Sequence, residues 1–322
     1  KGDAYRTSGQ LREASGAYRE AWTLVQTLLA DSPDDMDARC QAIQTRFGQI
    51  VVDDYLIRAS YASALAQHTD LLTAATTLGS LGLTRLSPVD VQVRCTHVRR
   101  QQAEMLRYMG RYREALDLIT EVVSQYPRSA YEPWCYARLS QADSLRLLGR
   151  LDEAADVYRD LEQIARERHL AGLLGSVLWR LVGLHQLTRD EPERSRRQDE
   201  VSRLCENYSQ RYRFLVIYAL LAQASGRVRD TQKALASLTR AERFGELSSD
   251  FLVAEYANMA QCRAEVLRNA HRTQDSAQWF RRAFACYLRM GCRWGIVRAW
   301  IGLRLTGIDT RRPEILGTLE GL

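Results

Sequence analysis

Lysine is nearly absent from this chain of 322 residues: Lys1 and Lys233 are the only two, and arginine supplies the rest of its 45 positive charges. Against 39 carboxylates this leaves a net charge of +6, too dilute over such a length for the concentrated field of a dedicated nucleic-acid binder. The arginine bias itself fits a GC-rich genome. Proline (6) and glycine (19) are too scarce for a loop-rich all-β protein. The seven cysteines, Cys40, Cys95, Cys135, Cys205, Cys262, Cys286 and Cys292, are an odd number with no C-x-x-C pair. That argues against a disulfide framework and a structural zinc site, and predicts reduced thiols packed between helices. Long apolar runs are missing too. The longest, Leu170 to Leu184, is broken by Arg180 and falls short of the ~20 residues of a membrane span. No signal peptide opens the sequence. With 46% hydrophobic and 26% charged residues, the expectation is a globular protein in a reducing, cytoplasmic setting, with no membrane partner.

Catalytic signatures are equally sparse. There is no phosphate-binding G-x-x-x-x-G-K-[ST] loop, no G-x-S-x-G elbow, no H-E-x-x-H and no G-x-G-x-x-G after a strand. His68, His97, His169, His185 and His271 are scattered, none three or four residues from another His or Cys. Cys95 and His97, two apart, point to different sides of a helix and do not make a nucleophilic pair. The sequence therefore predicts neither enzyme activity nor a metal or cofactor. Arginine doublets at 99–100, 196–197, 281–282 and 311–312 keep an Arg-rich, nucleic-acid-binding helical solenoid as the alternative class. Acids beside many of them favour solvated helix surface instead.

What the chain does have is a repeat. Arg107-Tyr108-Met109-Gly110-Arg111-Tyr112-Arg113-Glu114-Ala115 returns as Arg146-Leu147-Leu148-Gly149-Arg150-Leu151-Asp152-Glu153-Ala154, and again at Arg6 to Ala14. Around the first, Ala103, Leu106, Gly110, Tyr112, Ala115, Ile119, Val122 and Pro127 form a set matched by Ala142, Leu145, Gly149, Leu151, Ala154, Tyr158 and Leu161. Ala14, Tyr18 and Ala21 continue the early copy. Weaker ones follow at Ala219, Ala222, Gly226 and Val228, at Ala264, Leu267, Ser276, Phe280 and Ala283, and from Ala299. Between them Leu181, Leu184 and Thr188 hold a first helix while residues 194–200 are mostly polar. The spacing is helical, so each unit reads as two amphipathic helices. Gly110 and Gly149 end first helices in the left-handed conformation. Glu13, Glu114 and Glu153 sit in the first turns of second helices, where the helix dipole favours them. All six prolines fall at junctions. Ser32-Pro33 and Ser87-Pro88 each read as an N-cap followed by proline at the first helical position.

These residues resemble the tetratricopeptide repeat, with a small residue at position 8, Leu or an aromatic at 11, Ala at 20, an aromatic at 24 and Ala at 27. The spacing of 39 residues from Gly110 to Gly149 exceeds the family's 34, as if the helices were a turn longer. The longer units and the segment Tyr287 to Gly295 are similar to sensor arms of signal-transduction ATPases of the STAND type and their activator or defence relatives. A cytoplasmic peptide-pheromone receptor is a neighbouring resemblance. The implied fold is an all-α, right-handed solenoid of seven to eight helix pairs. One array is expected over 1–322, with a truncated unit at 1–33, an irregular one at 34–87 and about six units over 88–322. For 34–87 two layouts stay open, a pair of long helices broken near Gly48 or four short helices, and Gln49 to Tyr55 is the one strand-like run. Residues 1–8 read as the tail of a helix that starts upstream, in a longer chain.

The resemblance also places partners in a groove lined by first helices. Counting Gly110 and Gly149 as position 15, the groove set is His97, Arg100, Arg107, Tyr108, Tyr136, Arg146, Arg213, Arg268, Arg293, Trp300 and Arg304, interleaved with Glu104, Asp143 and Glu265. Arginine forks suit carboxylates. The Lys/Asn clamp by which some members hold chaperone tails is missing. The implied function is a non-catalytic scaffold that binds a protein or peptide with an acidic segment, as the interaction arm of a larger signalling or regulatory protein, with oligomerisation through an upstream domain.

Overall fold

The computed structural model describes residues 1–7, 11–57, 60–80, 88–126, 130–207, 231–247 and 253–307. Among them are fourteen α-helices, one π-helical segment and no strand. In order these are α1 (Gly2–Thr7), α2 (Leu11–Asp31), α3 (Met36–Gln49), the π-segment (Ile50–Ile57), α4 (Tyr61–Ser80), α5 (Pro88–Tyr108), α6 (Tyr112–Gln125) and α7 (Tyr131–Leu147). Then come α8 (Leu151–Glu167), α9 (Ala171–Thr188), α10 (Glu191–Asn207), α11 (Thr231–Leu247), α12 (Val253–Asn269), α13 (Thr273–Met290) and α14 (Arg293–Leu305). The chain forms two compact units, Lys1–Arg150 and Leu151–Leu322. Within the first unit each helix from α1 to α6 packs on its successor. Within the second, α8 packs on α9, α9 on α10, and α11, α12 and α13 each on the next. First helices of neighbouring pairs also meet, α5 with α7 and α12 with α14. This is an all-α fold of the helical-repeat, α-solenoid class.

The reversals between paired helices share one geometry. After the first helix a residue turns left-handed, and the next N–H reaches back over the final helical turn. Arg111, Arg150, Asp190 and Arg272 donate in this way to the carbonyls of Leu106, Leu145, His185 and Leu267 at 2.9–3.0 Å. The left-handed residues are Gly110 (φ 82°), Gly149 (φ 80°), Arg189 (φ 59°) and His271 (φ 56°). The turn thus recurs about 40 residues on at Arg189, and again at His271, even though glycine is missing there. Arg189 and His271 escape a sequence search because nothing in a side chain advertises a positive φ.

The counted positions fall where the repeat requires. Ala115, Ala154 and Ser276, five residues past the turn, are fully buried, as are Ile119, Tyr158 and Phe280 four residues later, and Ala14 of the early copy is buried too. Ser276 replaces the usual alanine and donates to the carbonyl of Ala264 on the facing helix at 2.8 Å, so its hydroxyl is satisfied inside the contact. In the polar pair α9/α10 the same positions hold Arg194 and Gln198, both buried, followed by buried Val201. The register survives there although the hydrophobic pattern does not. Glu13, Glu114 and Glu153 sit in first turns, as expected.

Two expectations need correction, and a third segment takes an unforeseen form. Ser32-Pro33 is not a cap. The chain turns through it, and α3 starts at Met36 with Asp35 as its N-cap, accepting from the Ala38 N–H at 3.1 Å. Of the two layouts for 34–87, the structure takes the long pair, but Gly48 breaks nothing. It lies inside α3, where a Cβ would come within 2.2 Å of the Tyr18 ring, so glycine is there for the close approach. The strand-like run is the π-segment. Ile50, Val51, Val52 and Asp53 are buried in succession, and the wider π-turn carries the chain between α2 and α4. Ser87, Pro127 and Pro313 lie outside the described residues, as does the copy at Ala219 to Val228. Pro88, Pro133 and Pro192 occupy first turns, where the missing N–H costs nothing.

Two substitutions test the packing and the turn. Gly302→Ala drives a Cβ to 2.3 Å from the Phe280 ring and should destabilise by about 1–3 kcal/mol, read by chemical denaturation. Arg189→Gly removes the left-handed strain and should stabilise by about 0.5–1 kcal/mol, whereas a loss would mean that the arginine side chain matters more than its backbone.

Candidate functional site

Six of the predicted groove residues lie on α5 and α7, in the unit Lys1–Arg150: His97, Arg100, Arg107, Tyr108, Tyr136 and Arg146. Arg268, Arg293, Trp300 and Arg304 lie on α12 and α14, in the unit Leu151–Leu322. Arg213 is outside the described residues.

On α5 and α7 the charges are largely spoken for. Arg100 pairs with Glu104 one turn on, and the Glu104 carboxylate also accepts from Ser140 on α7 at 3.1 Å. Arg107 sits 4.0 Å from Asp143, whose side chain is 3% exposed, with its guanidinium 4.7 Å above the Tyr108 ring. Tyr108 stacks on Tyr61 of α4 at 5.1 Å. His97 meets Phe47 edge-on at 5.7 Å, and Phe47 stacks on His68 at 5.3 Å. Tyr136 is half-buried. Arg146 differs from the rest of the row. No carboxylate of the described residues pairs with it; it is half-buried, and its buried Nε has no acceptor, a feature it shares with Arg107.

The α12/α14 face obeys the same rule with different residues. Glu265, six residues before its turn, pairs with Arg298 of α14, nine before the next turn, at 2.8 Å. Glu104 and Ser140 are related by the same count. Glu265 therefore answers Arg298 and not Arg268, which has no carboxylate partner among the described residues. Tyr287 donates to Asn258 at 2.9 Å, and burial pushes its phenol far above the usual range. The turn at Gly307 (φ 70°) resets the count on α14. Trp294, Ile301 and Leu305, exposed by 55, 44 and 64%, take the groove positions. Trp300 becomes half-buried with its indole N–H enclosed and Arg304 5.7 Å above it, while Arg293 is exposed. Ser140, Arg298, Tyr61 and Phe47 were missed because partners across helices follow from how neighbouring helices pack, which no local motif in the sequence states.

No group of three or more His, Cys, Asp or Glu suited to a metal occurs among the described residues. No helix there is long and apolar enough to cross a membrane. Cys40, Cys95, Cys135, Cys262, Cys286 and Cys292 are free thiols. Burial raises the Cys262 thiol to about 12, which keeps it protonated and unreactive.

Helix pairs joined by left-handed turns, with small residues at the crossings, define a tetratricopeptide-like helical scaffold. No protein-family profile and no curated sequence matches the chain. Among solved structures it is similar to yeast Tom70, at a TM-score of 0.50 and 10% identity, over 97% of this chain. The match spans 63% of Tom70, so the likeness carries the fold alone.

His68 supplies a pH test of this region. It is fully buried with neither ring nitrogen hydrogen-bonded, and burial, partly opposed by Asp54, lowers its pKa to about 4. The unfolded chain takes up the proton near pH 6.5, the folded one only near 4. Stability contributed by this site is thus complete above 6.5 and lost as pH falls through that window. Between pH 6.5 and 5 the loss should be about 2 kcal/mol. His68→Leu should remove that part of the acid sensitivity in urea titrations, and an unchanged pH slope would contradict it.

Proposed function

We propose that the chain is a non-catalytic protein- or peptide-binding scaffold, and that the α5/α7 face receives an acidic segment of the partner at Arg146. The observation that carries this reading is the Arg146 guanidinium, half-buried and with no carboxylate partner among the described residues, unlike Arg100 and Arg107 beside it. A carboxylate brought by a partner would pair with the accessible end of this guanidinium, the kind of charge-assisted contact that arginine forks favour. Tyr136 and Tyr108 lie on the same two helices, and arginine and tyrosine are favoured anchors at interfaces. Arg100 and Arg107 serve differently in this reading. Held by Glu104 and Asp143, they keep α5 and α7 in register and present a fixed surface. The tetratricopeptide-like fold supports a binding role. Placement as a cytoplasmic interaction arm of a larger regulatory protein, and assembly through a further domain, follow from the resemblance in the sequence.

The test separates the two kinds of arginine. Arg146→Glu should abolish capture of an acidic peptide library while leaving the melting temperature unchanged or higher. Arg107→Glu should destabilise by about 3 kcal/mol, since it faces the buried Asp143 carboxylate with a second negative charge. Peptide retained by folded Arg146→Glu at full affinity would place the binding surface elsewhere.

A further inference from the structure

The π-segment forms one wall of a half-open cavity of about 350 Å³, lined by Arg19, Arg46, Gln49, Asp53, Asp54, Ser63 and Gln67. Every lining side chain is polar. That is unusual for a void inside a helical repeat, whose spaces close with alanine and leucine. Such π-segments recur at functional sites because the wider turn re-aims side chains. The cavity belongs to α2, α3, the π-segment and α4, and shares no residue with the α5/α7 face.

The hydrogen-bond accounting shows what remains unmet. Arg46 donates to Gln49 at 2.9 Å and to Gln67 at 2.8 Å. Gln67 in turn donates to Asp54 at 2.8 Å and Ser63 at 3.1 Å. Arg19, its side chain 60% exposed, reaches Asp53 Oδ2 at 3.3 Å. Asp53 itself is only 8% exposed at the side chain, yet its Oδ1 is buried with no donor. Gln49 accepts from Arg46, but its own amide nitrogen donates to no described residue. The unused capacity is therefore one buried anionic acceptor on one side and donors from Gln49 and the Arg46 fork on the other.

We propose that this cavity binds a small zwitterion, a free amino acid with a short or polar side chain. Its ammonium is held by the Asp53 carboxylate and its carboxylate by Arg46 and Gln49. The charge balance selects this class. Two arginines repel a bare cation, two aspartates repel phosphate, and the pairs together cancel. The volume lies at the small end of ligand pockets, roughly 300–1,000 Å³, and suits one amino acid. An apolar ligand finds no apolar wall.

Isothermal titration of the full chain with glycine, serine and glutamine tests this, alongside N-acetylserine, serine methyl ester, putrescine and inorganic phosphate. At least one free amino acid should bind saturably, and blocking either its ammonium or its carboxylate should abolish the heat. Asp53→Asn should weaken binding about tenfold or more, the scale of one charge-assisted hydrogen bond. Arg46→Met should do the same. Circular dichroism and the ligand-free melt establish that each variant is folded. Should Asp53→Asn fail to fold, Gln49→Ala carries the test, with an affinity loss of about threefold or more. Arg146→Glu should leave this binding untouched, so failure of the cavity and failure of the α5/α7 reading are told apart. The proposal is overturned if no free amino acid binds at 10 mM (about the weakest affinity worth assigning to a site). It is equally overturned if N-acetylserine, putrescine or phosphate binds as well as serine, or if folded Asp53→Asn binds undiminished.

Discussion

Two long helices can lie against each other along their length only if the chain between them reverses within two or three residues. The left-handed turn does this while returning the last carbonyls of the first helix to hydrogen bonds. Everything else follows from it. It sets the count that brings Ala115 or Ser276 opposite the preceding helix, and the small side chain there lets the axes approach. Where glycine is absent, Arg189 and His271 are held at positive φ at a local cost of about 1–2 kcal/mol, which packing on both sides of the turn must exceed.

The same constraint explains how the polar pair α9/α10 holds its place. Arg194 and Gln198 occupy positions that are alanine and tyrosine at Ala154 and Tyr158, and both are buried. An ionic cluster accompanies them. Burial works against the Glu162 carboxylate, but the guanidiniums of Arg197 and Arg166 keep it below its usual range, and Arg166 also reaches Glu200 at 2.5 Å. Those groups join α8 to α10 across α9's flank by charge where other pairs use methyl groups. Loss of either arginine would leave a buried carboxylate short of partners, an expensive outcome in such surroundings.

Arginine is so abundant here that its roles divide by what lies nearby. Some guanidiniums are consumed by carboxylates, from their own helix as with Arg100 or from a neighbouring one as with Arg107 and Arg298. Others cover tryptophan rings, as Arg180 does on Trp179 at 4.6 Å and Arg282 on Trp279 at 4.4 Å. Only after both uses are subtracted does an arginine such as Arg146 become informative. The planar fork makes all of these possible, and a lysine would not serve the stacked or two-pronged positions equally well.

The sequence by itself determined the helical class, the pairing of helices and the crossings at Ala115, Ala154 and Phe280. These depend on local periodicity and on glycine, which are written in consecutive residues. It also assigned His97 to Tyr108 to one helix and Tyr136 and Arg146 to the next, because register counted from Gly110 and Gly149 carries over to α5 and α7. It misread Ser32-Pro33, where Asp35 offers the better cap, and it gave no sign that the β-branched run from Gln49 to Tyr55 takes a π-turn. The pairing of Glu265 with Arg298, the sparing of Arg146 and the polar cavity at Asp53 were decided by tertiary structure alone. Each depends on which side chains from different helices arrive within hydrogen-bond reach, and a rotation of one helix by a single residue would exchange every partner.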